Sequence, residues 1–194
     1  GHYVVTQNIT ASGTVVTISA DDVDLDLNGF TLEETSLLSP VISGASAERL
    51  SIHDGNLVGG RTGVTLARGH NSRLTNLTVL YSADSGISVI ATHDFTIEGC
   101  LIEEPGGVGI SIASQTERGF GVIKHNTILR ANFEGILVSD MVAGVIESNV
   151  IRGGGRSGLF VYSGDALLVR DNIVDGSAGY GLNVDNSSGS SIVE

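Results

Sequence analysis

The sequence predicts an all-β solenoid, a single-stranded right-handed parallel β-helix of about eight coils of about 23 residues. Two observations predict it: a glycine followed by alternating aliphatic residues recurs along the chain, and two further aliphatic columns recur at fixed distances before that glycine. The spacings between glycines are 23, 23, 26, 23 and 23 residues, for Gly63, Gly86, Gly109, Gly135, Gly158 and Gly181.

Each coil is expected to carry three short strands. After each repeating glycine the pattern is aliphatic–any–aliphatic, as in Ile87-Ser88-Val89, which is typical of a strand with one buried face. A second column lies 12 residues before the glycine, at Leu74, Ile97, Ile123, Ile146 and Val169. A third lies 7 residues before it, at Val79, Ile102, Ile128, Ile151 and Val174.

Two polar columns refine the register. Asn126, Asn149 and Asn172 occupy equivalent positions between the second and third columns, so we expect their side chains to stack inside one turn. Cys100 and Leu77 continue that column toward the N-terminus, which favours an unreactive inward spacer for the cysteine. One residue after the second column, an outward ion-pair ladder is predicted at Glu98, Lys124, Glu147 and Arg170.

Composition excludes several functions. Of 194 residues 41% are hydrophobic and 16% charged, which excludes a disordered chain. A net charge of −12 argues against nucleic acid and anionic membranes as partners. No apolar run approaches the length of a membrane span, so no membrane association is predicted.

The chain is expected to form a single domain over residues 1–194, with a shorter first coil and a longer loop over residues 33–41. Ser191-Ile192-Val193-Glu194 aligns one repeat after Leu168-Val169-Arg170-Asp171, so the sequence stops inside a ninth coil without a capping segment. Repeat proteins need polar caps. The hypothesis is therefore a fragment of a longer protein, or an end covered by a partner chain, as in a homo-oligomer.

The segments Leu25-Asp26-Leu27-Asn28-Gly29-Phe30-Thr31-Leu32 and Ile123-Lys124-His125-Asn126-Thr127-Ile128 resemble the pectate-lyase-like superfamily of right-handed β-helices. The resemblance covers essentially the whole chain. It implies the β-helix fold and a place among polysaccharide lyases, glycoside hydrolases, epimerases, tailspikes and adhesins. It also implies an extracellular or cell-surface location, with substrate on the outer face of the sheet that follows the repeating glycine.

That sheet lacks an evident catalytic set. Its outward residues are Thr65, Ser88, Ser111, Leu137, Phe160 and Asn183, none of them an acid or a base. A glycosidase needs two carboxylates about 5–9.5 Å apart. The Asp-Asp and Gly-His-Gly type motifs of polygalacturonases and the Arg-rich motif of pectate lyases are also absent from the sequence. The catalytic residues, if any, stay unknown.

The flanks of the C-terminal coils mix aromatic rings, carboxylates and guanidinium groups. Aromatic faces stack on sugars, and arginine pairs with uronate carboxylates. A polysaccharide-binding surface is therefore predicted from Arg130, Phe133, Glu134, Asp140, Arg152, Arg156, Phe160, Tyr162, Tyr180 and Asp185. The alternative is a solvated turn region. Leu137 beside Phe160 is also compatible with an oligomer contact.

No metal or other cofactor is predicted. His70 and His93 lie one repeat apart and could stack at ligand spacing, but no third ligand is evident. Asp22, Asp24 and Asp26 alternate along one strand, where carboxylates are too widely spaced for one calcium ion without other ligands. Exposed turn histidines and a solvated acidic edge are the preferred interpretations.

The functional prediction is an extracellular β-helix protein that binds polysaccharide, or is displayed toward it, without a recognisable catalytic set. The alternative is a polysaccharide lyase or glycoside hydrolase whose site lies between chains or in the C-terminal coils. The absent acid pair on the usual face favours the first hypothesis.

Overall fold

The computed structural model describes residues 1–113, 120–189 and 191–193. In these residues the chain is a parallel β-solenoid of 23 short strands, and the described part contains no helix. All strand pairs are parallel, and each strand contacts its equivalents in the coils before and after it. The predicted all-β solenoid is confirmed.

The strands stack into three faces. Face A contains β1 (His2–Val4), β4 (Asp24–Asp26), β11 (Phe95–Glu98), β14 (Phe120–Lys124), β17 (Ala143–Glu147), β20 (Leu167–Arg170) and β23 (Ser191–Val193). Face B contains β2 (Ile9–Ala11), β5 (Thr31–Glu34), β12 (Leu101–Glu103), β15 (Thr127–Leu129), β18 (Val150–Arg152) and β21 (Ile173–Asp175). Two long strands, β7 (Ser51–Gly59) and β9 (Arg73–Leu80), run from face A into face B.

Face C is a separate sheet of eight strands. They are β3 (Val16–Ile18), β6 (Ile42–Ala45), β8 (Val64–Ala67), β10 (Ile87–Ile90), β13 (Ile110–Ala113), β16 (Ile136–Ser139), β19 (Leu159–Tyr162) and β22 (Leu182–Asp185). This is the sheet that follows the repeating glycine, and its eight strands give the eight predicted coils.

The three aliphatic columns form the core. Ile123 pairs in register with Ile97 on one side and Ile146 on the other, and all three are fully buried. Ile136 and Val138 of face C are also fully buried, so the predicted register is confirmed. Side chains alternate in and out along each strand, so each face carries an outward row that does not contribute to the core.

The repeating glycine is required by space. A Cβ atom on Gly86 would lie 2.4 Å from Ile102 Cγ2 and 2.7 Å from the carbonyl oxygen of Gly109. The buried Ile102 side chain and the Gly109 backbone approach this position from two sides, so even an alanine here would displace them. The glycine thus lets each coil turn closely into face C.

The predicted asparagine stack is confirmed. Asn126 Nδ2 donates to Asn149 Oδ1 at 3.0 Å, and Asn149 Nδ2 donates to Asn172 Oδ1 at 2.9 Å. Each amide also donates to a carbonyl oxygen of face A, as Asn149 does to Ile123. The ladder therefore satisfies both side chains and backbone in the turn between faces A and B.

Cys100 continues this column, and its backbone N–H donates to Asn126 Oδ1 at 2.9 Å. The side chain is buried, and this burial raises the pKa of the thiol to about 11. Because the thiolate is the reactive species, the geometry agrees with the prediction of an unreactive spacer.

The predicted charge ladder is present on face A. Lys124 Nζ lies 3.2 Å from Glu98 Oε1, and Arg170 Nε donates to Glu147 Oε2 at 2.7 Å. Arg73 also donates to Glu98, at 2.6 Å. The pairs are partly exposed, so they fix register more than they add stability.

Candidate functional site

The outward row of face C changes character along the solenoid. It begins with Thr17, Ser43, Thr65, Ser88 and Ser111, and it continues with Leu137, Phe160 and Asn183 in direct register. Small hydroxyl side chains therefore cover the N-terminal coils, whereas a larger apolar and amide surface covers the C-terminal coils. The change occurs where the flanking turns also carry large side chains.

A groove of about 370 Å³ opens at this C-terminal end of face C. Its floor is Phe160 on β19 and Asn183 on β22, and its wall is formed by the turns that precede the repeating glycines. Four of the predicted binding residues line it together: Glu134, Arg156, Phe160 and Tyr180. We call this the face C groove.

Glu134 and Arg156 form the charged wall of the groove. Glu134 occupies the position just before Gly135 and is 7% exposed. Arg156 Nη1 lies 3.9 Å from Glu134 Oε1, and the Arg156 guanidinium carbon lies 4.4 Å from the centre of the Phe133 ring. The guanidinium is therefore positioned by a carboxylate and an aromatic face. The Arg156 side chain remains 63% exposed, so it can still bind an anionic group.

Aromatic side chains extend the groove across the sheet. The rings of Phe160 and Tyr162 meet edge to face, with centroids 6.4 Å apart. Tyr162 is 43% exposed and pairs in register with Asp185 on β22. Tyr180 is 68% exposed on the opposite side of the groove. Two tyrosines thus flank the half-buried Phe160, an arrangement that offers ring faces and hydroxyl groups together.

Six of the predicted residues are outside the lining of this groove. Phe133 and Tyr162 contact its residues Arg156 and Phe160, and Asp185 pairs in register with Tyr162. The other three lie elsewhere. Arg130 forms ion pairs with Glu103 and Glu104 in the neighbouring coil. Arg152 ends β18 on face B, in register with Asp175. Asp140 lies in the turn after β16, where it accepts a hydrogen bond from Ser139 Oγ at 2.9 Å.

Among its described lining residues the groove lacks the pair of carboxylates that a glycoside hydrolase uses. Glu134 is the single carboxylate among the described residues that line it. Glycoside hydrolysis uses two carboxyl groups flanking the scissile bond. Arginine, amide and phenol groups beside an aromatic floor are instead the usual means of binding a sugar chain.

The two other patterns considered from the sequence differ in their outcome. His93 is buried, at 7% exposure, so the interpretation of His70 and His93 as exposed turn histidines is wrong for His93. The rings of His70 and His93 stack with centroids 5.1 Å apart, as their one-repeat spacing predicted. Asp22 lies in a turn and pairs with Arg49 Nε at 2.6 Å. Asp24 and Asp26 lie on β4 and face His53 in the next coil.

Sequence reasoning missed that His53 contact. The signal was the match between Asp26 and His53, which are Cα partners in adjacent strands. The irregular coil length in this part of the chain separates them by 27 residues instead of 23, which hid the pairing. No helix in the described residues is long and apolar enough to cross a bilayer.

The chain belongs to the family described as right handed beta helix region, whose model matches residues 8–141 and 121–194. The match supports the right-handed, pectate-lyase-like type of solenoid predicted from the repeat. No curated protein matches the chain in sequence.

Several solved structures share the fold. The chain is similar to an alginate lyase from Paenibacillus sp. str. FPU-7, at 17% identity and a TM-score of 0.71, covering 98% of this chain and 79% of that one. It is also similar to the mannuronan C-5 epimerase AlgE4 A-module of Azotobacter vinelandii, at 12% identity and a TM-score of 0.51. That alignment covers 98% of this chain and 77% of the epimerase module. The periplasmic alginate epimerase AlgG is similar at 12% identity and a TM-score of 0.51, and the alignment covers 98% of this chain and 47% of that one. At such low identities these likenesses describe the fold.

Proposed function

We propose that this protein binds a polysaccharide along face C, with the sugar chain held in the face C groove of the C-terminal coils. One observation carries the proposal: the groove brings a half-buried phenylalanine, an oriented and exposed arginine, and an exposed tyrosine from three different turns and strands into one surface. Ligand sites typically combine an apolar floor with a few convergent polar groups in this way.

The individual contacts favour a carboxylated sugar. A pyranose ring can stack on Phe160, while the Arg156 guanidinium, already held near Glu134 and Phe133, pairs with a sugar carboxylate. Asn183 offers amide donors and acceptors beside the ring. The structural neighbours are described as acting on alginate, a polymer of uronic acids, which makes alginate the natural first ligand to test.

An extracellular or cell-surface location is part of this proposal, because polysaccharides of this type lie outside the cytoplasm. One neighbour is described as periplasmic, which supports a non-cytoplasmic location for proteins of this fold. Secretion assays that compare the culture medium, the cell surface and the cytoplasm of the native host test this directly.

Binding is tested by affinity electrophoresis and calorimetry on alginate, polygalacturonate and a neutral glucan. Phe160→Ala and Arg156→Ala should each weaken uronate binding by about tenfold or more, equivalent to about 1.4 kcal/mol. Arg61→Ala and Thr65→Ala are the matched controls, because they stand in the same columns as Arg156 and Phe160 in the N-terminal coils. Equal loss in controls and groove variants, or no binding by the parent, would exclude the groove.

A second candidate is an enzyme with β-elimination chemistry on uronates. The observation that favours it over hydrolysis is that the guanidinium of Arg156 and the phenol of Tyr180 line the same groove, together with a single carboxylate among the described lining residues. Incubation with the same polymers, followed by unsaturated-uronate absorbance and reducing-end assays, separates the two. If the protein forms unsaturated uronate products and Arg156→Ala does not, the protein is a lyase and the proposal of a binding function alone is wrong.

Self-association remains a prediction that bears on both candidates. Leu137 and Phe160 are neighbours on the outer row of face C, and Ile173 and Leu182 are exposed in the last coils. A second copy that covered these residues would complete or occlude the groove. Light scattering over a concentration series tests it, and a monomer at all concentrations would exclude a site between chains.

A further inference from the structure

A second cluster of chemistry-bearing side chains lies far from the groove, on the outer side of face A in the N-terminal coils. His53 on β7 lies between carboxylates of its own and the preceding coil. Its Nε2 lies 3.0 Å from Asp24 Oδ1, and its Nδ1 lies 2.9 Å from Asp54 Oδ2 and 3.9 Å from Asp26 Oδ1. Ligand atoms of Asp26, His53 and Asp54 lie within 4.8 Å of one another.

Both ring nitrogens of His53 face carboxylate oxygens, but a neutral imidazole has a proton for only one of them. A neutral imidazole carries one N–H, and in the tautomer protonated on Nε2 that N–H donates to Asp24. The lone pair of Nδ1 then points at the carboxylate oxygens of Asp54 and Asp26. Three electron-rich atoms that converge in this way repel one another unless a cation lies among them. That cation is either a second proton on His53 or a metal ion.

We propose that Asp26, His53 and Asp54 form a binding site for a divalent transition-metal ion of the zinc class. Imidazole nitrogen favours zinc and its neighbours over calcium and magnesium, which prefer all-oxygen ligands. Zinc bonds of about 2.0–2.2 Å place tetrahedral ligand atoms about 3.3–3.6 Å apart. The Nδ1–oxygen distances of 2.9 and 3.9 Å bracket that value, so small side-chain rotations complete the set.

The residues around the three ligands provide the support that metal sites usually have. Metal-binding histidines donate their other ring N–H to a carboxylate, and Asp24 Oδ1 lies 3.0 Å from Nε2 of His53, where it would accept that N–H. Asn76 Nδ2 donates to Asp54 Oδ1 at 2.9 Å, which leaves Oδ2 directed at the imidazole. The backbone N–H of Asn28 donates to Asp26 Oδ1 at 2.7 Å. Asp24 is thus a positioning residue.

Burial also suits an ion site. The side chains of His53 and Asp26 are 21% and 27% exposed, so an ion there exchanges only part of its hydration shell for protein atoms. Asp26 lies on β4, whereas His53 and Asp54 lie on β7. A bound ion would therefore link two adjacent coils. This makes it a clamp on the N-terminal end, independent of the polysaccharide groove.

Calorimetric titration of metal-freed protein with Zn²⁺ at neutral pH tests the site. One ion per chain is expected, and His53→Ala should remove binding. Asp24→Asn should weaken it by about 10–100-fold, because the imidazole loses its orienting partner. His125→Ala is the control, since His125 lies in the turn after β14 on the same face and is not part of the Asp26, His53 and Asp54 cluster. His2→Ala tests the neighbouring imidazole, which contacts Asp24 Oδ2 at 2.8 Å. Both controls should bind like the parent.

A second readout separates a lost site from a lost fold. Zn²⁺ should raise the melting temperature of the parent and of both controls, reversibly with a chelator, and should not shift that of His53→Ala. Circular dichroism at low temperature checks that each variant is folded. Equal binding by the parent and His53→Ala would overturn the proposal. So would NMR showing both ring nitrogens of His53 still protonated at saturating Zn²⁺, because a proton alone would then occupy the position.

Discussion

Two buried glutamates, one in each half of the molecule, have opposite surroundings. Glu34 is 1% exposed and accepts hydrogen bonds from the backbone N–H groups of Ser36 at 2.8 Å and Leu37 at 2.7 Å, and from the Ser36 hydroxyl. Glu134 is 7% exposed, and among the described residues its charged partner is Arg156, at 3.9 Å. The first carboxylate closes a loop, and the second lines an open groove.

The difference teaches how to separate structural from functional burial in a solenoid. A carboxylate whose hydrogen-bonding capacity is met by its own loop has a folding role. A carboxylate that is buried beside a half-satisfied arginine and an aromatic floor retains capacity for a ligand. The inner columns beneath both regions are the same, so the solenoid carries either arrangement on one scaffold.

The largest expected effect tests that shared core. Ile146→Ala beneath the C-terminal coils and Leu74→Ala beneath the N-terminal coils should each lower the free energy of unfolding by about 2–5 kcal/mol, because both residues are fully buried in one column. Urea denaturation measures it. Val145→Ala, which changes an outward neighbour of Ile146, is the control. A loss below about 0.5 kcal/mol for Ile146→Ala would mean that the core register is wrong.

The next effect concerns the asparagine ladder, which only the C-terminal coils possess. Asn149→Ala should cost about 1–3 kcal/mol for each buried group that it leaves without a partner. Asn126 loses its acceptor and Ile123 O loses its donor. Asn172→Ala, at the more exposed end of the ladder, should cost less. Equal losses in urea denaturation would contradict the expectation that the more buried asparagine contributes more.

The two glutamates themselves supply the third test. Glu34→Gln should destabilise by about 1–3 kcal/mol, because an amide cannot accept all of the hydrogen bonds that the carboxylate accepts. Glu134→Gln should stay within about 0.5 kcal/mol of the parent. Urea denaturation midpoints at neutral pH measure both effects. Equal losses of stability in the two variants would contradict the different roles assigned to Glu34 and Glu134.

Acid should sharpen the same contrast. Burial opposes ionisation of Glu34, but the hydrogen bonds from Ser36 and Leu37 outweigh it and lower the pKa of this carboxyl below its usual value. A lowered folded-state pKa contributes stability that is present above the unfolded value and lost as the pH falls through the folded one. The parent should therefore lose more stability on acidification than Glu34→Gln. Parallel pH profiles for both proteins would contradict this role of Glu34.

The smallest effect is expected at the groove. Arg156→Ala and Phe160→Ala should change the free energy of unfolding by about 0.5–1.5 kcal/mol at most, since the first removes the contact with the Phe133 ring and the second the edge contact with Tyr162. Arg61→Ala is the control in the N-terminal coils. If either groove variant lost as much unfolding free energy as Ile146→Ala, the groove residues would have a structural role instead of a binding role.

The sequence by itself determined the solenoid. Alternation with period two marks the inward side chains, and the repeat near 23 residues marks which strands stack, because parallel strands in adjacent coils must align. Ile146, the asparagine ladder and the Glu98–Lys124 pair follow from these two periods. The grouping of Glu134, Arg156 and Phe160 follows from them as well, since these residues stand at fixed offsets from successive glycines.

Only the tertiary structure decided which turn residues meet. Arg130 was expected beside the groove, but the turn after β15 directs it to Glu103 and Glu104. His53 was not connected with Asp24 and Asp26, because the longer coil between them breaks the regular spacing. The physical reason is the same in both cases. Stacking fixes strand positions from one coil to the next, whereas a turn side chain goes to the partner that the local backbone places within reach.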